Sequence, residues 1–167
     1  MISSQTNLNT IYQDNLVANN YRAGIYHKQS YLAVIRDNII RDNGTTAPPS
    51  NLKDAGIMIG GPDVEVTGNV LTNNHNGITF LNSVPRTGLH GWTAIRNGNV
   101  HDNTVIESGL SGAIANGDPE VLSTTIFERN VYRYTVTTGS WWFWDGMRTW
   151  AGWQSFGNDL LGAIETP

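Results

Sequence analysis

Cysteine is absent from the 167 residues. That excludes a disulfide framework, a thiolate metal centre and a thiol nucleophile, and it leaves the redox compartment unmarked. Charge is also scarce: 10 Lys and Arg stand against 14 Asp and Glu, 14% of the chain in all, for a net charge of -4. Nucleic acid and anionic membranes are held by basic stripes, so neither is an expected partner. No apolar run approaches the roughly 20 residues of a membrane-spanning helix, so no membrane insertion is expected. The opening Met1-Ile2-Ser3-Ser4-Gln5 lacks the basic and then apolar pattern of a secretory leader. Long Lys/Glu helical faces are missing as well. What is present is abundant Asn, 18 Gly, six Trp and six Tyr, the composition of short strands and tight turns in one all-β domain.

One phrase occurs five times: an apolar residue, a spacer, Asn, one or two apolar residues, a polar pair, and a Gly that begins a new strand. The Asn positions are Asn15, Asn38, Asn69, Asn103 and Asn130, and the matching glycines are Gly24, Gly56, Gly77, Gly112 and Gly139. Successive Asn anchors lie 23, 31, 34 and 27 residues apart. The surplus falls in two polar, Pro-containing stretches, residues 45–53 and 82–91, which read as loops thrown out from the repeat.

A unit of this size cannot bury its apolar side alone, so the units stack, each short strand pairing in parallel with its neighbours above and below. Such a coil is a parallel β-helix. At each bend Asn tolerates left-handed backbone angles, and its amide can bond the Asn one rung away. Gly serves where φ is positive or the chain turns sharply. An antiparallel sandwich would have longer, more cleanly alternating strands, and the Leu spacing does not suit a leucine-rich repeat. Residues 1–140 are therefore read as about five coils, and 141–167 as an aromatic C-terminal cap of the same domain.

That last segment contains Trp153-Gln154-x-x-Gly157-x-Asp159, followed by Gly162 and Thr166-Pro167. With the coil phrase, it resembles the C-terminal part of large secreted β-helix proteins of the pectate-lyase-like superfamily. The resemblance implies a right-handed helix and an extracellular or periplasmic setting. It also implies a parent that acts on polysaccharides as a lyase, glycoside hydrolase or uronan epimerase, with more coils upstream. Calcium is implied by the resemblance alone. The residues show no Asp-rich calcium loop, no His-x-x-x-His and no Gly-x-Ser-x-Gly, and no cofactor or metal site is expected from them.

Counting from each Gly places Ile25, Ile57, Ile78 and Ala113 inward. Tyr26, Met58, Thr79, Ile114 and Trp141 then point outward, and two residues further on so do Lys28, Gly60, Leu81, Asn116 and Phe143. An outward row of aromatic and polar side chains suits a sugar chain, so Tyr26, Lys28, Asn116, Trp141 and Phe143 are the expected substrate-binding residues. Acid-base chemistry on a polysaccharide needs carboxylates, or a base with a charge neutraliser. The groups near strand ends are His27, Lys28, Asp63, Arg86, His90, Asp118, Glu120, Asp145 and Arg148. Of these Arg86, His90, Asp118, Glu120 and Asp145 are the catalytic candidates, Arg86 and His90 meeting Asp118 and Glu120 across neighbouring rungs. His101-Asp102 and His75 are read as structural, and Trp142, Trp150 and Trp153 as capping.

The expected function is polysaccharide binding or degradation. The alternative is a non-catalytic glycan-binding, tailspike-like or adhesion module. The first coil, with its open strand edge near residues 7–17, is expected to favour self-association.

Overall fold

The computed structural model describes residues 1–44, 54–81, 87–114 and 119–167. The chain passes first through β1 (Ile2–Gln5), β2 (Leu8–Gln13) and β3 (Leu16–Ala18), then β4 (Ile25–Lys28), β5 (Tyr31–Arg36) and β6 (Ile39–Arg41). It continues through β7 (Ala55–Gly60), β8 (Val64–Thr67) and β9 (Val70–Thr72), and then β10 (Asn76–Leu81). A hairpin of β11 (Thr87–Gly88) and β12 (Gly91–Trp92) precedes β13 (Gly98–His101), β14 (Thr104–Ile106) and β15 (Ser111–Ile114). Helix α1 (Pro119–Thr124) leads to β16 (Ile126–Glu128), β17 (Val131–Arg133), β18 (Trp142–Trp144) and β19 (Met147–Arg148), and α2 (Trp150–Gln154) to β20 (Ala163–Glu165).

Apart from the β11–β12 hairpin, these strands fall into three stacked sheets, visited in the same order on each pass until the last, which has no strand in the second. The orders are β1-β4-β7-β10-β15-β18-β19, β16-β13-β8-β5-β2 and β20-β17-β14-β9-β6-β3. Every pairing within them is parallel except β18 with β19. Register explains why the apolar residues recur. Ile25, Ile57 and Ile78 align in one sheet, Tyr12, Ile35, Val66, Val100 and Phe127 in the second, and Val17, Ile40, Leu71, Val105 and Tyr132 in the third. All are buried and form one core, each large side chain contributing about 1.5–3 kcal/mol by leaving water. Toward the C-terminal end the core turns aromatic: Phe127 meets Trp153 at 4.8 Å between centroids, and Tyr132 meets Trp142 at 5.1 Å.

The Asn anchors form a continuous ladder. The backbone N–H and side-chain Nδ2 of Asn15 both donate to Asn38 Oδ1, and those of Asn38, Asn69 and Asn103 donate in turn to Asn69, Asn103 and Asn130. Asp159 ends the ladder. Its Oδ1 accepts both donors of Asn130, while its Oδ2 accepts Tyr132 Oη and Trp153 Nε1. An amide there would turn an N–H toward the indole N–H. A second ladder runs from Asn20 through Asn43 and Asn74 to the hydroxyl of Ser108.

Two expectations about the bends are corrected. The left-handed residue is not the ladder Asn but the one before it: Asp14, Asp37, Gly68, Asp102 and Arg129 have φ between 55° and 66°. That kink turns the following Asn side chain into the stack, and the Asn itself keeps ordinary angles. The repeated Gly is mostly set by close packing and not by φ. A Cβ on Gly56 would stand 2.7 Å from Leu71 Cδ2 and 3.0 Å from Asn74 Nδ2.

Candidate functional site

The outward row after each Gly is not an open groove. Tyr26, Met58, Thr79 and Phe143 lie in one column with Gly112. Met58, Thr79 and Leu81 are buried, because Met58 and Leu81 join Ala23 and Ala55 in a small apolar cluster flanked by Tyr26 and Phe143. The aromatic residues of this row are thus packing partners. Trp141 does not share the column of Tyr26: it precedes β18, stacks on Tyr134 at 5.0 Å and 17°, and donates its indole N–H to Val136 O. The reason is register, since Ser111 pairs with Trp142 and Gly112 with Phe143, two residues off the count from Gly139. Lys28 is half-buried in register with Gln5 and Gly60.

Arg86, Asn116 and Asp118 lie outside the described residues. The remaining catalytic candidates stand in separate places. His90 is at the tip of the β11–β12 hairpin, edge-on to Tyr31 at 5.5 Å. Glu120 is exposed on the first turn of α1. Asp145 is in the β18–β19 turn with φ 48°, its carbonyl accepting Arg148 Nη2. His27 points inward and is fully buried, its Nδ1 3.1 Å from Ser4 Oγ and its Nε2 without a partner. Burial lowers its pKa to about 4, against an ordinary 6.5. Among the described residues no group of three or more His, Cys, Asp or Glu is gathered to hold a metal, and no helix is long and apolar enough to cross a membrane.

The structure does present a groove, on a different sheet. It has a volume of about 580 Å³ and runs across the outward face of β2, β5, β8 and β13. One wall is the residue column Asn9, Leu32, Asp63 and Asn97, which carry φ of 57°, 50°, 60° and 52°. This shared left-handed kink bends β2, β5, β8 and β13 at the same place, just before or at the start of each strand's outward face. Asn and Asp adopt it readily, but for Leu32 it costs about 1–2 kcal/mol, and that side chain is nonetheless 45% exposed. The floor is the register column Ile11, Val34, Glu65 and Asn99.

Chemistry changes along the groove. The end at β2 and β5 is mainly aliphatic, with Ile11, Leu32 and Val34 beside Asn9 and Thr10. At β8 two carboxylates, Asp63 and Glu65, line the same space, and at β13 they give way to the amides of Asn97 and Asn99. Asp63 accepts Asn97 Nδ2 at 2.8 Å and faces Arg96 at 3.6 Å. Glu65 Oε1 lies 3.0 Å from His101 Nε2, and the other ring nitrogen is 2.7 Å from Asp102. Asp102 in turn takes a two-point contact from Arg129, which also pairs with Glu128. The Arg129 bonds, with that of His101, lower Asp102 to about 2. Burial pulls His101 down, but its bonds to Asp102 and Glu65 outweigh burial and hold it above the ordinary 6.5.

Of these residues the sequence reading singled out only Asp63, as a charged group near a strand end, and took His101-Asp102 as structural. Glu65 was missed. Its signal is the alternation of β8, where Val64 and Val66 turn inward and Glu65 outward, but that marks a site only once the sheet it faces is known. Two carboxylates, three amides (Asn9, Asn97 and Asn99) and an aliphatic stretch in one groove can accept and donate hydrogen bonds to hydroxyls while packing on C–H faces.

A family model described as "Right handed beta helix region" matches residues 2–93, more than half of the chain. No curated protein and no solved structure matches it.

Proposed function

Because the chain belongs to the right-handed β-helix family, we propose that it is a polysaccharide-binding protein whose ligand lies along the groove of β2, β5, β8 and β13. The observation that carries this reading is a single groove in which the aliphatic side chains of Ile11, Leu32 and Val34 lead into Asp63, Glu65, Asn97 and Asn99. Four rungs at about 4.8 Å give a track of about 14 Å, enough for a short run of sugar units. Aliphatic side chains pack on the C–H faces of pyranoses, and the carboxylates and amides bond their hydroxyls. Two carboxylates in the track disfavour a polyuronate and favour a neutral glycan.

This reading takes the scaffold as a solenoid of about five coils closed by the aromatic C-terminal segment. It keeps a place in the pectate-lyase-like superfamily and an extracellular or periplasmic setting as part of the same proposal. Self-association would use the outer edges of β1, β2 and β3, which end their sheets. A glycoside hydrolase is the second reading, favoured by Asp63 and Glu65 facing one groove.

The test is affinity electrophoresis against neutral polymers (galactomannan, xyloglucan, mixed-linkage glucan) and anionic ones (polygalacturonate, alginate). Product release would be followed by reducing ends and by absorbance of unsaturated uronides. Retardation by a neutral polymer, lost in the Asp63→Asn/Glu65→Gln double variant, is the expected result. No retardation by any polymer, or equal retardation of the variant, overturns the proposal; product formation would move it to the enzymatic reading.

A further inference from the structure

His101 sits outside the groove but touches its floor. Both ring nitrogens face carboxylate oxygens, Nε2 to Glu65 at 3.0 Å and Nδ1 to Asp102 at 2.7 Å, with Thr67 Oγ1 also 3.2 Å from Nδ1. A carboxylate only accepts, so both contacts are hydrogen bonds only when both nitrogens carry protons. The geometry is that of an imidazolium bridging two carboxylates. The charged groups around it are Glu65 on β8, Asp102 in the bend after β13, and Glu128 and Arg129 at the end of β16, Glu128 being in register with His101 itself. Arg129 pairs with Asp102 and Glu128, not with Glu65, so His101 is the one cationic group shown bonded to Glu65 among the described residues.

We infer that His101 is a positioning residue for the groove, holding the Glu65 carboxylate in one orientation while doubly protonated and releasing it when it loses a proton. The inference rests on the proposed polysaccharide groove for its ligand, but the clamp is a property of the free protein. When one proton leaves, the one that stays is on Nδ1, where the contact is shorter and Asp102 is itself anchored by Arg129. Nε2 then turns a lone pair toward Glu65 Oε1, and two acceptors at 3.0 Å repel. Glu65 swings free, and a ligand must immobilise it again. Ordering one such side chain corresponds to about a fivefold loss of affinity. Because the bonds to both carboxylates hold the ring above 6.5, the loss falls on the alkaline side of that value: binding is strong at pH 6 and weakens through the His101 titration.

Two measurements test this. In the free protein, the 13C shift of the Glu65 side-chain carboxyl is followed by NMR from pH 5 to 9. It should show an inflection matching the His101 ring titration. That inflection should vanish in His101→Gln and move to lower pH in Asp102→Asn, which keeps the ring but removes one of its partners. In the second measurement, affinity for the neutral polymer that binds most tightly in the panel above is measured at pH 6 and pH 8.5. It should fall about fivefold in the native protein and stay flat in His101→Gln. A Glu65 carboxyl with no inflection at the His101 titration, or a pH dependence that survives in His101→Gln, overturns the inference and leaves the groove reading standing. If no polymer binds at either pH, the groove reading falls and the carboxyl titration alone decides the clamp.

Discussion

Removing one amide from the middle of the Asn ladder should cost several times what removing one from its start costs. Asn69 accepts the backbone N–H of Asn38 at 3.1 Å and its Nδ2 at 2.8 Å, and donates to Ile35 O, Thr67 O and Asn103 Oδ1. In Asn69→Ala the side-chain amide of Asn38 keeps Tyr12 O and Arg36 O, and Asn103 Oδ1 keeps the Asn69 N–H. The Asn38 N–H and one lone pair each on Ile35 O and Thr67 O lose their partner in a buried site. At about 1–3 kcal/mol for each buried group left unsatisfied, the two deepest losses give about 2–6 kcal/mol. Asn15 is only half-buried and donates to Gln13 O and Asn38 Oδ1, so Asn15→Ala should cost about 1 kcal/mol. Urea denaturation followed by circular dichroism reads both values. Equal costs for the two variants would refute the ladder as a cooperative element and reduce the Asn repeat to a preference for turns.

Other consequences follow from particular residues. His27 is neutral in the fold, with a pKa near 4 against 6.5 when unfolded, so its contribution is complete above pH 6.5 and is lost as pH falls toward 4. Between pH 7 and 4.5 the native protein should therefore lose about 2–3 kcal/mol more stability than His27→Ile, whose position lies in register between Ser4 and the apolar Ile59; equal losses would show the imidazole is not desolvated. Leu32→Asn should stabilise the protein by about 1 kcal/mol by relieving a left-handed Leu, while weakening glycan retention; a variant that gains stability and binds unchanged would remove Leu32 from the groove's function. Gly56→Ala should lower stability by at least about 1 kcal/mol, since its Cβ would meet Leu71 and Asn74 and must displace one of them; a neutral change in the urea midpoint would show the close packing to be slack.

The scaffold could be read from the chain because its determinants repeat as identical letters. Asn at each bend and a Gly near the next strand recur in all five copies, with at least one apolar residue between them, so insertions of different length do not hide them. The site is the opposite case. Asn9, Leu32, Asp63 and Asn97 share a backbone angle and a wall of the groove, yet no letter is common to all four, and what unites them is φ. Glu65 and His101 touch although they are 36 residues apart, a separation set by the loop between their rungs, which has no fixed length. The residues after each Gly form an aromatic row in which Tyr26 and Phe143 pack against Met58 and Leu81; exposed and packing aromatics are written with the same letters and differ only in burial. Asp159 lies between these cases. The phrase that contains it carries the resemblance, and its physical content is that this ladder, whose last amide offers two donors, ends on a group that only accepts. A carboxylate does this with both oxygens, one for Asn130 and one for Tyr132 and Trp153. The Asp159 side chain thus joins the aromatic segment to the Asn repeat. Burial raises the Asp159 pKa against those donors, so protonation of this one carboxyl would turn an acceptor into a donor at the junction between ladder and aromatic end.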